Sequence, residues 1–297
     1  MKAPDRISDF TSDRTRTRFH TAYQRALPRL WPTAPRPRTV TTRYGEVVAY
    51  RFGAAHGTPV VLLPGAGGNA LGWARYIPRL AAAHPVVALD LVGEPGAARQ
   101  TAPIGTDRDA AACLAEALTA LDAERAHLVG LSYGGWLALR HELHFPGRAA
   151  SLTLLDPAGF GAVTGRFLLW VTAGGLASLT PRPVRRRLAG LLANATLRED
   201  ALMGLIRASL AFRRRLPVAV PLTDDELASI ATPTLLILGE RSQMYDAASV
   251  AERVRRVMPA ARVEIVPRAG HDLPVHSPEL VADRIDAFLR GASGPRR

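Results

Sequence analysis

Residues 127–139 read HLVGLSYGGWLAL, and this stretch constrains the fold more than any other. An apolar run of strand type passes through Gly130-Leu131-Ser132-Tyr133-Gly134 into a segment of helical character. A strand that turns this sharply into a helix holds its serine in a strained backbone conformation, with the hydroxyl raised above the sheet. Side chains at Gly130 and Gly134 would collide with the neighbouring strand and helix, and Gly135 lets the helix pack closer still. The helix start beneath the hydroxyl also favours negative charge developing there. Gly and Ser are common residues, so the pentapeptide gains meaning only from its strand–turn–helix setting.

That setting recurs along the chain. VTTRYGEVVAYRFG reads as a hairpin turning near Tyr44-Gly45. PVVLLPG (59–65) and HPVVALDL are short continuous apolar runs, as expected of strands buried on both faces. AHLVGLS, SLTLLD, PTLLILG and VEIVP read as four more strands. LGWARYIPRLAAA, TDRDAAACLAEALTALDA with Thr106 as N-cap, and PELVADRIDAFLR read as helices. Strands separated by helices predict an α/β fold, a mostly parallel sheet with helices on both faces. The alternation stops between about 160 and 230, a stretch without a convincing strand, broken at PRP (181–183), Asn194 and Pro217. It is expected to form a helical excursion over the C-terminal edge of the sheet, inserted after the sixth strand. Residues 1–38 are polar, basic and proline-rich towards their end, with a helix expected within 11–30. The expected division is therefore an extension (1–38), a core (39–159 and 231–292) and a helical cap (160–230).

Composition bounds the function. The chain has 297 residues, 22% charged, with a net charge of +12. Only Lys2 among 38 basic residues is a lysine, which looks like base composition rather than selection for a charged partner. The arginines are scattered and aromatics make up only 6%, so a nucleic-acid face is not expected. A single cysteine, Cys113, excludes an internal disulfide and reads as a small buried hydrophobe. Lys2 is followed by Asp5, Asp9 and Asp13, not by the apolar core of a signal peptide. The longest apolar stretch, FLLWVTAGGLASL (167–179), is too short to span a bilayer. A cytoplasmic protein is expected, without stable membrane insertion.

Several features in order along the chain resemble the α/β-hydrolase superfamily over about residues 40–290. PGAGGNALGW (64–73) lies where the family has its oxyanion loop, LDLVGEPGAA (89–98) resembles its D-x-x-G-x-G loop, and Ser132 sits in the elbow. RAGHDLPVHSPE (268–279) resembles the segment carrying the family's histidine. The likeness is greatest to small carboxylesterase-type enzymes, and a serine rather than an aspartate nucleophile argues against dehalogenase or epoxide hydrolase chemistry. The resemblance implies a serine hydrolase acting through an acyl-enzyme on a small-molecule ester, with no cofactor or metal. The usual His-Gly of the oxyanion loop is Pro64-Gly65 here, but the donors the family uses are backbone N–H groups, which fall on Ala66 and Tyr133. Thioester, amide or carbon–carbon cleavage uses the same apparatus, and a catalytically silent ligand- or partner-binding member is a reading of another class. A homodimer is compatible with the sequence.

Of eight histidines, His271 follows the last strand on a loop at the edge where the serine is raised, and Gly270 before it is expected to leave room for the imidazole. His276 reads as a surface or supporting residue, His127 lies at the wrong end of the sheet, and His141 and His144 read as helix-end residues. The acid falls between Ser132 and His271 in this fold's chain order. Where the family often places it, two residues after Glu240, stands Ser242. Glu240, Asp246, Asp156 in LLDPAG, and Asp272 are the candidates. The segment Gly239–Asp246 matches a G-E-x-x-x-x-Y-D segment of the carboxylesterase-type branch, which implies Asp246, with Asp156 and Glu240 as alternatives. Trp136, Phe160, Phe167 and Trp170 are candidate pocket residues. Phe160, Phe167, Leu168, Trp170, Leu176 and Leu179 supply apolar surface either to the substrate or to packing within the cap.

Overall fold

The computed structural model describes residues 7–31, 33 and 35–292. Lys2 and Asp5, which bore on the reading of the N-terminus, and Pro32 of the proline-rich stretch lie outside the described residues. The first elements are a short strand, β1 (Asp9–Phe10), and a helix, α1 (Asp13–Leu30). Ser12 starts α1 with a capping box shared with Thr15, which satisfies backbone donors left free at a helix N-terminus.

The expected hairpin is β2 (Arg38–Thr42) and β3 (Gly45–Phe52), paired antiparallel. Gly45 has φ +141°, and a Cβ there would lie 2.0 Å from the Arg99 carbonyl oxygen, so only glycine fits. There follow β4 (Val60–Leu63), α2 (Ile77–Ala81), β5 (Val86–Asp90), β6 (Arg99–Gln100) and α3 (Asp107–Ala120). The last of these is capped by Thr106 as its sequence predicts. The elbow joins β7 (Ala126–Leu131) to α4 (Tyr133–His144), and β8 (Ala149–Leu155) closes the first half of the sheet.

The stretch that breaks the alternation holds α5 (Gly165–Ser178), α6 (Arg182–Leu191), α7 (Asp200–Ser209), β9 (Phe212–Arg213) and α8 (Asp224–Ala228). The chain then completes the sheet with β10 (Thr234–Gly239), α9 (Ala247–Val257) and β11 (Arg262–Val266), and ends in α10 (Leu273–His276) and α11 (Pro278–Ala292). The sheet has the order β11-β10-β8-β7-β4-β5-β3-β2, with β6 beside β3. All pairs from β5 to β11 are parallel, and β3 runs antiparallel to β5. β4, β5 and β10 are buried at every residue, because helices cover both faces. One core contains buried residues of α3, α4 and α9, and the other those of α1 and α11. No helix among the described residues is long and apolar enough to cross a membrane.

Residues 9–31 are not a loose extension. Phe19, Tyr23 and Ala26 of α1 join the second core, and Trp31 packs against Tyr50 and Phe52 at ring distances of 5.1 and 5.0 Å. Burying one such aromatic stabilises by about 1.5–3 kcal/mol. Tyr23 donates from its hydroxyl to the buried Asp90 carboxylate at 2.8 Å. Asp90 also accepts from the N–H groups of Ala70 (2.7 Å) and Ala97 (2.6 Å). β1 pairs antiparallel with β9, Asp9 opposite Arg213 and Phe10 opposite Phe212. This pairing is the one strand of the inserted stretch, and it escapes sequence reading because its partner lies some two hundred residues away.

His141 lies in the last turn of α4, as its reading as a helix-end residue expects. It is fully buried, and neither ring nitrogen has a hydrogen-bond partner among the described residues, so burial drives its pKa from 6.5 down to about 4. The unfolded chain takes up this proton near pH 6.5 and the folded chain only near 4. Its contribution is therefore complete above that window and is lost as pH falls through it, by about 2 kcal/mol between pH 7 and pH 5. His141→Leu is expected to remove that part of the acid sensitivity. Urea unfolding at the two pH values checks it, and an equal loss in variant and parent would refute the assignment.

Candidate active site

The turn from β7 into α4 has the strained geometry its sequence requires. Ser132 has φ +51° and ψ −115°. A Cβ on Gly130 would lie 2.4 Å from the Gly134 backbone, one on Gly134 2.3 Å from the Leu63 carbonyl oxygen, and one on Gly135 2.7 Å from Pro157. The three glycines thus allow strand, turn and helix to approach closely, and the serine hydroxyl is held above the C-terminal edge of β7.

His271 lies on the loop between β11 and α10, at the same edge. Its Nε2 is 3.1 Å from the Ser132 hydroxyl and its Nδ1 is 2.6 Å from Asp156 Oδ2. Asp156 follows β8 with φ +40°, is fully buried, and spends both oxygens on close partners. Oδ1 accepts from the Gly239 N–H at 3.1 Å, and Oδ2 also accepts from the Ser242 hydroxyl at 2.7 Å. Since Oδ2 acts as an acceptor, His271 carries its proton on Nδ1 and presents a bare Nε2 to the serine. The His271 N–H donates to Gln243 Oε1 at 3.0 Å, which fixes the loop's backbone beside the ring.

The loop after β4 passes beside the serine: a Cβ on Gly65 would lie 3.4 Å from the Ser132 Cβ. Gly67, with φ +72°, donates its N–H to Glu94 Oε2 at 2.8 Å, and Gly68 closes a turn onto the Gly65 carbonyl at 3.0 Å. The Ala66 and Tyr133 N–H groups have no protein acceptor among the described residues. From the inserted stretch, the ring of Phe167 meets His271 edge-on at 4.8 Å, and Trp170 does so at 6.2 Å. Together these elements give a hydroxyl, an imidazole, a carboxylate and two free amides at one edge of the sheet, under an aromatic cover.

With that geometry in view, the comparisons with known proteins are consistent. A model described as the alpha/beta hydrolase family matches residues 60–284. The chain belongs to the alpha/beta hydrolase family. It is similar to two proteins of Bacillus subtilis over nearly their whole lengths. The "Uncharacterized carboxylesterase nap" is 27% identical, with 94% of this chain and 95% of that protein covered. Carboxylesterase YbfK is 28% identical, with 92% and 94% covered. Among solved structures, naproxen esterase (carboxylesterase NP) from Bacillus subtilis superposes with a TM-score of 0.83 at 25% identity, covering 95% of this chain and 100% of that one.

In this alpha/beta hydrolase the carboxylate beside His271 is Asp156 and not Asp246. Asp246 is exposed and serves as the N-cap of α9, accepting from the Ser249 N–H at 2.8 Å, which lowers its pKa. The G-E-x-x-x-x-Y-D match therefore points to a carboxylate that the structure does not bring beside His271. The chain enters α9 directly after Tyr245, and the Asp246 side chain is used in starting that helix. Glu240 accepts from the Arg268 N–H at 2.6 Å and braces the return from β11. Asp272 accepts from the N–H groups of Ala195 and Thr196, and burial raises its pKa.

Other readings change as well. Gly270 makes room for Gln243, whose Oε1 would lie 3.0 Å from a Cβ at that position. Trp136 and Phe160 belong to the buried core. The Trp136 ring packs against Tyr133 at 5.0 Å, and its indole N–H donates to the Val220 carbonyl. Only Phe167 and Trp170 of the four candidate pocket residues have rings against His271. Leu168, Leu176 and Leu179 are exposed. His276 is exposed, and His127 sits at the start of β7 with Nδ1 2.8 Å from Ser151 Oγ.

Sequence reading missed Ser242, Gln243 and Tyr245 as neighbours of the site. Tyr245 is buried beside Asp156, and burial pushes its phenol well above the usual range. A signal for Ser242 was present: a hydroxyl at the position where a carboxylate is expected can serve a carboxylate supplied from elsewhere.

Proposed function

We propose that the chain hydrolyses carboxylic esters through an acyl-enzyme formed on Ser132. The observation that carries this reading is the unbroken line from the Ser132 hydroxyl through the His271 ring to Asp156, with contacts of 3.1 and 2.6 Å. His271 Nε2 takes the serine proton as Oγ attacks the ester carbonyl. Asp156 holds Nδ1–H and stabilises the imidazolium that results. The negative oxygen of the tetrahedral intermediate accepts from the N–H groups of Ala66 and Tyr133, a role in which one donor is worth about 10²–10³ in turnover. His271 returns its proton to the departing alcohol, then deprotonates the water that cleaves the acyl-enzyme.

Two considerations place ester cleavage ahead of thioester, amide or carbon–carbon bond cleavage. The relatives matched over nearly their whole lengths are carboxylesterases. The cover over His271 is made of Phe167 and Trp170, which suits an apolar acyl or alcohol group. An assembled hydroxyl, imidazole and carboxylate also favours an enzyme over a silent binder. A hydrolysis panel of p-nitrophenyl esters of increasing acyl length, matched thioesters and anilides tests the reading. Esters with apolar acyl groups are expected to turn over fastest. Hydrolysis of the anilides or thioesters without the esters would overturn it.

A further inference from the structure

Glu94, which is buried, and Arg214, whose side chain is 26% exposed, form an ion pair against both flanks of the site, and the reaction as described above does not use it. Glu94 follows β5 in the loop 89–98, and Arg214 follows β9 in the inserted stretch. The Glu94 carboxylate is 1% exposed, too little for water to solvate its charge. One oxygen accepts from Arg214 Nε at 2.7 Å and the other from the Gly67 N–H at 2.8 Å. The Arg214 guanidinium also lies over the Tyr133 ring, 4.0 Å from its centroid, with Trp136 packed against the same ring. Gly67 is next to Ala66, and the Tyr133 ring belongs to the residue after the nucleophile. One ion pair therefore touches the two segments that carry the proposed oxyanion donors, Ala66 and Tyr133.

We propose that Arg214 and Glu94 are positioning residues that set the oxyanion hole, Glu94 by holding the loop at Gly67 and Arg214 by pinning Tyr133 while balancing the Glu94 charge. The proposal rests on the serine hydrolase reading above. Burial pushes the Glu94 carboxyl up, and Arg214 and the Gly67 N–H oppose that shift, so loss of the arginine would leave an unbalanced charge beside the loop. Arg214 is itself anchored from outside the core. β9 pairs with β1, and the Arg215 N–H donates to Ser8 Oγ at 2.7 Å. The N-terminal segment thereby steadies a side chain that steadies the site.

The test compares Arg214→Met, Arg214→Lys, Glu94→Ala and the Arg214→Met/Glu94→Ala double variant on the best ester of the panel, with Ser132→Ala alongside and thermal melting to check folding. Arg214→Met and Glu94→Ala are each expected to lower kcat about tenfold or more, a fraction of the loss of a whole donor, with KM within about threefold. The double variant should be little worse than the poorer single, because the two act as one unit. Arg214→Lys keeps the charge but not the flat stacking surface, so it should recover part of the loss. It also decides the matter if Arg214→Met does not fold, since a kcat equal to the parent's would then refute the proposal. A folded Arg214→Met protein with parental kcat, a rise in KM alone, or additive losses in the double variant would overturn it. Those outcomes leave the hydrolase reading standing as long as Ser132→Ala is inactive, whereas an active Ser132→Ala protein removes that reading first.

Discussion

Asp156→Asn is expected to lower ester turnover by about 10⁴, the scale of loss when a triad carboxylate becomes an amide. The amide retains the shape of the side chain but can turn an NH₂ group towards His271 Nδ1, which favours the wrong tautomer and removes the charge that stabilises the imidazolium. Asp246→Asn provides the control. Asp246 caps α9 from an exposed position, and asparagine caps a helix about as well as aspartate. Its turnover and melting temperature should match the parent's. Steady-state kinetics of the pair on one ester separates the two assignments directly. A large loss in the Asp246 variant with a mild one in the Asp156 variant would show that the loop rearranges in solution to present the other carboxylate.

Ser132→Ala is expected to lower turnover by about 10⁶ and to abolish covalent labelling by a fluorophosphonate probe. The residual rate would come from binding and the free amides alone. The same residue carries a stability consequence. At φ +51° and ψ −115° a side chain is strained, and glycine is not. Ser132→Gly should therefore be more stable than Ser132→Ala by about 1 kcal/mol, even after the larger chain entropy of glycine in the unfolded state. Thermal melts of the two inactive proteins check this. Equal melting temperatures would mean that the elbow relaxes when the hydroxyl is removed, and that its strain does not come from the backbone conformation alone.

Much of the architecture is legible in the sequence because it depends on near neighbours. The apolar runs at 60–63, 86–90 and 234–239 mark strands buried on both faces. Gly130, Gly134 and Gly135 mark the sharp turn, since no other residue fits distances of 2.3–2.7 Å. His271 is legible because a loop after the last strand opens at the edge where the elbow raises its serine. The acid was not legible on the same basis. Asp156, Glu240 and Asp246 all fall within the permitted interval of the chain, Asp272 adjoins His271 just past it, and pattern matching favoured the one that caps a helix.

The sequence by itself determined where the backbone turns, which strands are buried and which serine and histidine face one edge. These features follow from steric limits and hydrophobic periodicity over a few residues. Tertiary structure decided which carboxylate meets the imidazole, because β8 and β10 lie side by side with Leu155 opposite Ile237. That register brings Asp156 against the Gly239 amide and the Ser242 hydroxyl, and through them beside His271. It also decided that Tyr23 of the N-terminal helix serves Asp90 and that Arg214 serves Glu94. The choice of partner for a buried charge depends on which distant groups are placed close enough to satisfy it, and that is set by packing of the whole chain.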